Sequence, residues 1–329
     1  MPVTVFTYLM AMVLGFVLLV STSIGRDLLE HEGPLVLGVF FIPFKTSMRV
    51  NLLTTYIGLM AIYSICFFAA FRAHGGFIRN LQSLSGGSGL PRIPNWLLAM
   101  PLASSALLLI VIVITILQDQ LGMPTGSLPP QDPYVMLYLL AYSPVLEEWT
   151  FRISTIGFAV GLRILVSRGT LVHFPLSFLS PERAKAQAGL PRIADSGWRG
   201  LHWSEWLALA ITSIGFGLAH ILSGGGWQAG KIVTAGLSGL TLGICFLAYG
   251  GYASILLHWF FNFYFEVFLL GGTLLGGVFD TLGLSVSLLT IAVGILGLVV
   301  AVSWILFREE RGGRAPMPYK LGETQSSLV

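Results

Sequence analysis

Two adjacent carboxylates and an arginine interrupt an otherwise apolar stretch at Ser143-Pro144-Val145-Leu146-Glu147-Glu148-Trp149-Thr150-Phe151-Arg152. An ionisable group inside a membrane span costs about 2.5 to 3.5 kcal/mol on insertion scales, so three together demand partners, access to water or a function. On an α-helix Glu148 and Arg152 share one face at i and i+4 and can pair, while Glu147 projects about 100° away. One carboxylate is thereby left free to act as a base or a ligand.

Two further polar sites fall in apolar context. Phe216-Gly217-Leu218-Ala219-His220 ends one apolar segment, and His258-Trp259-Phe260-Phe261-Asn262 lies within another. His258 and Asn262 are spaced to face one cavity, and buried imidazole and amide groups need partners. The six residues Glu147, Glu148, Arg152, His220, His258 and Asn262 satisfy one another most economically if their helices meet. In a low-dielectric pocket a carboxylate becomes a useful base, and a neighbouring histidine can orient the water it deprotonates. The His/Asn pair supplies donors for an oxyanion. Water activation with oxyanion stabilisation is what hydrolysis of an amide requires without a covalent intermediate. No Ser or Cys stands out as a nucleophile beside these groups. Two Glu and two His leave zinc open as an alternative, although HExxH is absent and no two His lie at i and i+4.

The elements that position these residues are transmembrane helices. The chain has 329 residues, 55% hydrophobic and 10% charged, with a mean hydropathy of +0.82, far from a soluble globular domain. Eight stretches can cross the hydrocarbon, near 3–23, 50–71, 96–117, 134–165, 205–222, 230–249, 252–271 and 284–307. The fourth is too long for one straight span, and Pro144 predicts a kink or break just before the acidic motif. Pro34 to Phe44 is apolar but too short to cross, and reads as an interfacial or re-entrant segment. The expectation is an all-α polytopic bundle with a catalytic cavity between spans four, five and seven. It forms one transmembrane domain, 1–307 with its motif core at 134–271, and a polar cytoplasmic tail, 308–329. The N-terminal run lacks a preceding Lys or Arg and a small-x-small cleavage pattern, so it reads as a retained span.

Loop charge orients the spans. Twelve Lys and Arg fall on the side of the termini and four on the other, with Arg152 and Arg163 inside span four. The positive-inside bias therefore predicts both termini in the cytoplasm. The loop from Ser167 to Ser204 should lie on the cytoplasmic surface, with Trp198, Trp203 and Trp206 at the headgroup level. Gly236, Gly239 and Gly243 give span six a surface for close helix packing. A net charge of +3 with basic residues confined to loops excludes nucleic-acid binding. Cys66 and Cys245 fall in apolar spans and read as small buried hydrophobes. Asp119, Asp132 and Asp280, and His31, His74, His173 and His202, fall in loops and are expected to take no part in chemistry.

Glu147-Glu148-x-x-x-Arg152, Phe216-x-x-x-His220 and His258-x-x-x-Asn262, in this order on separate spans, resemble the CAAX prenyl protease and bacteriocin-processing (Abi) family. The resemblance covers about 120 residues, from Glu147 to Asn262. It implies a metal-independent, glutamate-type intramembrane endopeptidase that removes the last three residues of a prenylated Cys-aliphatic-aliphatic-X protein or peptide. Glu147 with His220 would hold and activate the water, His258 and Asn262 would stabilise the oxyanion, and Glu148 with Arg152 would shape the site. The implied partners are a prenylated C-terminus and membrane lipid, with no cofactor. The implied cavity opens toward the cytoplasm and the lipid. Two other classes compete: a proton- or ion-coupled transporter using the same residues as a relay, and a non-catalytic immunity or scaffold member.

Overall fold

A computed structural model describes residues 1–87, 91–129 and 131–306; the tail from Arg308 and part of the Gly-Gly-Ser-Gly connection at 86–89 lie outside them. Eight helices are long and apolar enough to cross a membrane: Pro2–Ser21, Leu52–Arg72, Trp96–Gln120, Pro133–Arg168, Trp203–Leu222, Gly230–Tyr249, Gly251–Leu275 and Val278–Ser303, here spans one to eight. All eight expected spans are present, and among the described residues the fold is all-α apart from one small sheet.

Span seven is the axis of the bundle. Of its most apolar window 72% is buried, against 28% for span eight at the periphery. Its Trp259 is fully enclosed, with the rings of Tyr8, Tyr63 and Phe67 within 6.2, 6.2 and 5.6 Å of it, centroid to centroid. Hydroxyls bind the same core across spans: Tyr63 donates to the Ala141 carbonyl at 2.6 Å, and the Thr7 and Tyr264 hydroxyls lie 2.6 Å apart. Without water these groups depend on such internal partners.

Pro144 does not break span four. The α-helix runs through it from Pro133 to Glu148, and the irregularity comes after the motif, as a π-helical segment over Trp149–Ile156. A second π-helical turn, Phe260–Tyr264, follows His258 in span seven. Each widened turn adds a residue to the helix circumference, and such turns are found mostly at functional sites.

The segment between spans one and two, which contains the apolar piece Pro34 to Phe44, forms a β-hairpin. Strand β1, Glu32–Val39, pairs antiparallel with β2, Ile42–Asn51. Gly38 lets β1 lie against span four, since a Cβ there would collide with the Thr150 side chain. The Tyr142 hydroxyl donates to the Val36 carbonyl at 2.8 Å.

The loop between spans four and five is folded rather than only polar surface, with short helices at Phe174–Leu179 and Pro181–Gln187. Trp198, Trp203 and Trp206 remain exposed at its end. Beneath it, Glu205 is fully buried and takes Arg163 on one oxygen at 2.8 Å and Lys185 on the other at 3.0 Å. Lys185 also donates to the Gly200 carbonyl. Burial pulls the Lys185 ammonium below its ordinary value, and the Glu205 carboxylate opposes that shift. Glu205 also closes a capping box with His202 at the start of span five. Removing one member of a buried charge network strands the others at a cost of about 3–5 kcal/mol. Glu205→Ala is therefore expected to lower the unfolding temperature in detergent by many degrees, and an unchanged temperature would show that both cations find other partners.

Candidate active site

Spans four, five, six and seven converge on the six sequence-predicted residues. Glu148 is fully buried, and its Oε1 accepts from Arg152 Nη1 and from His258 Nδ1, both at 2.9 Å. A carboxylate only accepts, so His258 carries its proton on Nδ1 and turns Nε2 to the other side. There Glu147 Oε2 stands 3.6 Å away. One imidazole thus lies between the two adjacent carboxylates. Glu147 differs from its neighbour in that its side chain is 28% exposed; the Oε2 of each makes no hydrogen bond.

Arg152 is held from three sides. Besides Glu148 it donates to the Gly239 carbonyl at 3.3 Å, and its guanidinium sits 4.2 Å above the Phe216 ring. The glycine face of span six makes this possible. A Cβ on Gly239 would come within 3.2 Å of both Phe216 and Arg152, and one on Gly243 would strike Leu209 and press on Ile156. The small-residue surface read from the sequence is therefore the surface on which span five and the π-helical segment of span four pack.

Phe216 joins the two histidines. The His220 ring lies 4.8 Å and the His258 ring 5.7 Å from it, both edge-on. Counting residues from the helix starts sets His258 roughly 10 Å and His220 roughly 25 Å from one face, yet both rings pack on Phe216. The reason is the turn before span seven. Gly250, at φ 102°, is buried under the Leu179 carbonyl, so span seven already begins beneath the folded loop. His220 bonds the Phe216 carbonyl through Nδ1 at 2.8 Å, leaving Nε2 for other partners, and Glu147 is within electrostatic reach.

Asn262 is one turn along from His258 and donates to Ser143 Oγ at 2.8 Å. Four residues later in span seven meets four to five residues earlier in span four, the signature of antiparallel helices. Sequence reasoning passed over Ser143, Gly239 as an acceptor, Phe216 as the shared wall, and Lys231. Lys231 lies 3.8 Å over the Trp227 ring and within electrostatic reach of Glu147. The aromatic Phe216 at the head of its motif was the one visible signal among these. Asp132 serves as the N-cap of span four, and Asp280 opens span eight. Among the described residues, no group of three or more His, Cys, Asp and Glu is arranged to hold a metal ion.

The arrangement divides the carboxylates into a committed one and an available one. Arg152→Met leaves Glu148 charged and buried beside one remaining donor, and is expected to destabilise the folded protein by about 3–5 kcal/mol. In the Glu148→Gln/Arg152→Met double variant the loss should be well below the sum of the two single losses. Additive losses in thermal unfolding would show that the pair is not coupled.

No curated protein and no solved structure matches the chain. Residues 129–264, which carry every motif position from Glu147 to Asn262, match the family model described as type II CAAX prenyl endopeptidase Rce1-like. Over that segment the chain is similar to the Rce1-like family of type II CAAX prenyl endopeptidases.

Proposed function

We propose that the chain hydrolyses the peptide bond that frees the C-terminal tripeptide of a prenylated Cys-aliphatic-aliphatic-X protein or peptide, using water activated by Glu147 and no metal. The observation that carries this reading is the contrast at the acidic pair: each carboxylate has an Oε2 without a hydrogen bond, but Glu148 is wholly buried and tied through Oε1 to both Arg152 and His258, while Glu147 is 28% exposed with His258 Nε2 no nearer than 3.6 Å.

In this reading a water hydrogen-bonded to Glu147 and His220 attacks the carbonyl carbon. Glu147 takes its proton as the C–O bond forms. His258 and Asn262 donate to the oxyanion, a role that needs protons on both ring nitrogens of His258. When the C–N bond breaks, Glu147 returns the proton to the leaving amine. Arg152 and Glu148 stay paired throughout and hold His258 in place. The alternative class, an ion-coupled transporter, would use the same carboxylates as a relay, but the family match speaks for hydrolysis.

We place both termini in the cytoplasm, on the loop charge. His220 lies two residues before the end of span five, so with eight crossings the Trp227 end of the site turns to the opposite side. A substrate of the cytoplasmic leaflet then reaches it through the bilayer. A tag at either terminus should be accessible only from the cytoplasmic side; access from the opposite side reverses the chain and turns the Trp227 end inward.

Glu147→Ala or His220→Ala should abolish cleavage of a farnesylated peptide while leaving an assembled protein, and activity of the native chain should survive a chelator. Near-normal turnover in either variant, or loss on chelation, overturns the water-activation scheme. Asn262→Ala should be milder, losing a donor worth about 3–4 kcal/mol at most; a change in KM alone would assign Asn262 to binding.

A further inference from the structure

The hairpin between spans one and two has a turn that its sequence does not favour. Val39 stands opposite Ile42, so the turn is the pair Phe40-Phe41, and both residues have positive φ, 46° and 72°. Two-residue turns of this kind are ordinarily made by Asn-Gly or Gly-Gly. A bulky residue held there is strained and persists only where its surroundings enforce it. They do so here. The Phe40 amide donates to Ser154 Oγ at 3.3 Å, and its ring meets Phe158 at 5.3 Å. The Phe41 ring meets Phe151 at 5.4 Å and covers Gly215, where an added Cβ would lie 3.3 Å from it. Ser154, Phe158 and Phe151 belong to span four and Gly215 to span five, so Phe41 is wedged into the seam between them while Phe40, 44% exposed, packs on span four beside it. The next ring inward from Phe151 is Phe216, 5.3 Å away, the ring against which Arg152, His220 and His258 pack.

The hairpin is graded along its length. At its open end Glu32 and Arg49 form an exposed ion pair at 3.7 Å. At its closed end Leu37, Val39, Ile42 and Phe44 are exposed, and their cross-strand pairing sets them on one face. Strand residues rise about 3.3 Å each, so the tip reaches roughly 25 Å from the charged base. That length carries it to Phe151 and Phe216, and an apolar face exposed at that depth meets hydrocarbon. The β1 edge there takes hydroxyl partners from span four, Tyr142 for the Val36 carbonyl and Ser154 for the Phe40 amide, as backbone in lipid requires.

We propose that the hairpin tip is a lateral gate, in which Phe41 closes the seam between spans four and five with Phe40 anchoring the tip on span four, and whose withdrawal admits the aliphatic chain of a lipidated substrate beside Phe151 and Phe216. The identity of the substrate rests on the peptidase reading above; the gate rests on the wedge. The strained turn keeps the closed state only modestly favoured, because the packing that holds it shut works against the backbone.

Two variants test this in lipid nanodiscs, in a Glu147→Gln background where turnover plays no part. In the first, Gly38→Cys with Thr150→Cys, the strand can be locked to span four: a Cβ built on Gly38 lies 3.0 Å from the Thr150 Cβ, a small adjustment from disulfide geometry. In the second, Phe40→Asn with Phe41→Gly, the hairpin keeps a favourable turn and loses its wedge. The probe is a peptide with a farnesyl-length chain bearing a diazirine, read as labelling of the peptides containing Phe151 and Phe216. Labelling should fall at least fivefold on oxidation of the first variant and return on reduction, and should rise severalfold in the second. Equal labelling in the oxidised and reduced forms, no labelling in the reduced form, or an unchanged second variant overturns the gate. Turnover of the same peptide by the Glu147 chain is measured separately. Its absence beside lock-dependent labelling strikes the peptidase reading alone, and turnover indifferent to the lock strikes the gate alone.

Discussion

The buried pair of Glu148 and Arg152 is the interaction on which the rest of the site depends. Both side chains are wholly withdrawn from solvent, where an unpaired charge would be prohibitively costly. Each therefore recruits what it needs from a different helix. Glu148 draws His258 from span seven, and Arg152 draws the Gly239 carbonyl from span six and the Phe216 face from span five. Four spans are fixed to one another by satisfying two charges. Glu147, one residue away, takes no hydrogen bond from this network, its Oε2 standing 3.6 Å from His258 Nε2.

The π-helical turns make the division workable. In a regular α-helix the face carrying Glu148 and Arg152 would be followed by a strict 3.6-residue drift. The widened segment from Trp149 to Ile156 instead lets Arg152 reach span six while Thr150 and Ser154 stay turned to the hairpin. The second widened turn lets His258 address the acidic pair and Asn262 address Ser143. Both departures from regular geometry fall where a motif residue is being aimed.

Much of this was legible in the sequence. Twenty-residue apolar runs located all eight spans, since hydrocarbon thickness fixes helix length. The i, i+4 spacing announced the Glu148–Arg152 pair, and the three glycines announced the packing face of span six. What was hidden has physical reasons. Pro144 carries a helix-breaking signal that the packed bundle overrides, whereas π-helical turns have no residue signature. The hairpin was hidden because Phe40-Phe41 is not turn chemistry, so nothing local marks the reversal and the packing around it alone enforces it. The depth of His258 was hidden because the cover over Gly250 comes from a loop seventy residues earlier. The Lys185–Glu205–Arg163 network was invisible because its members are far apart in sequence, Lys185 reading as a loop charge and Arg163 as a charge inside span four.

The central claim is that neighbouring carboxylates do different work, Glu148 holding the architecture and Glu147 doing the chemistry. The most direct test is Glu147→Gln beside Glu148→Gln, each measured for thermal unfolding and for turnover of a prenylated peptide. The account predicts that Glu147→Gln unfolds like the native chain and is inactive, while Glu148→Gln unfolds at a clearly lower temperature. A Glu148→Gln protein that is fully stable, or a Glu147→Gln protein that still turns over, would contradict it.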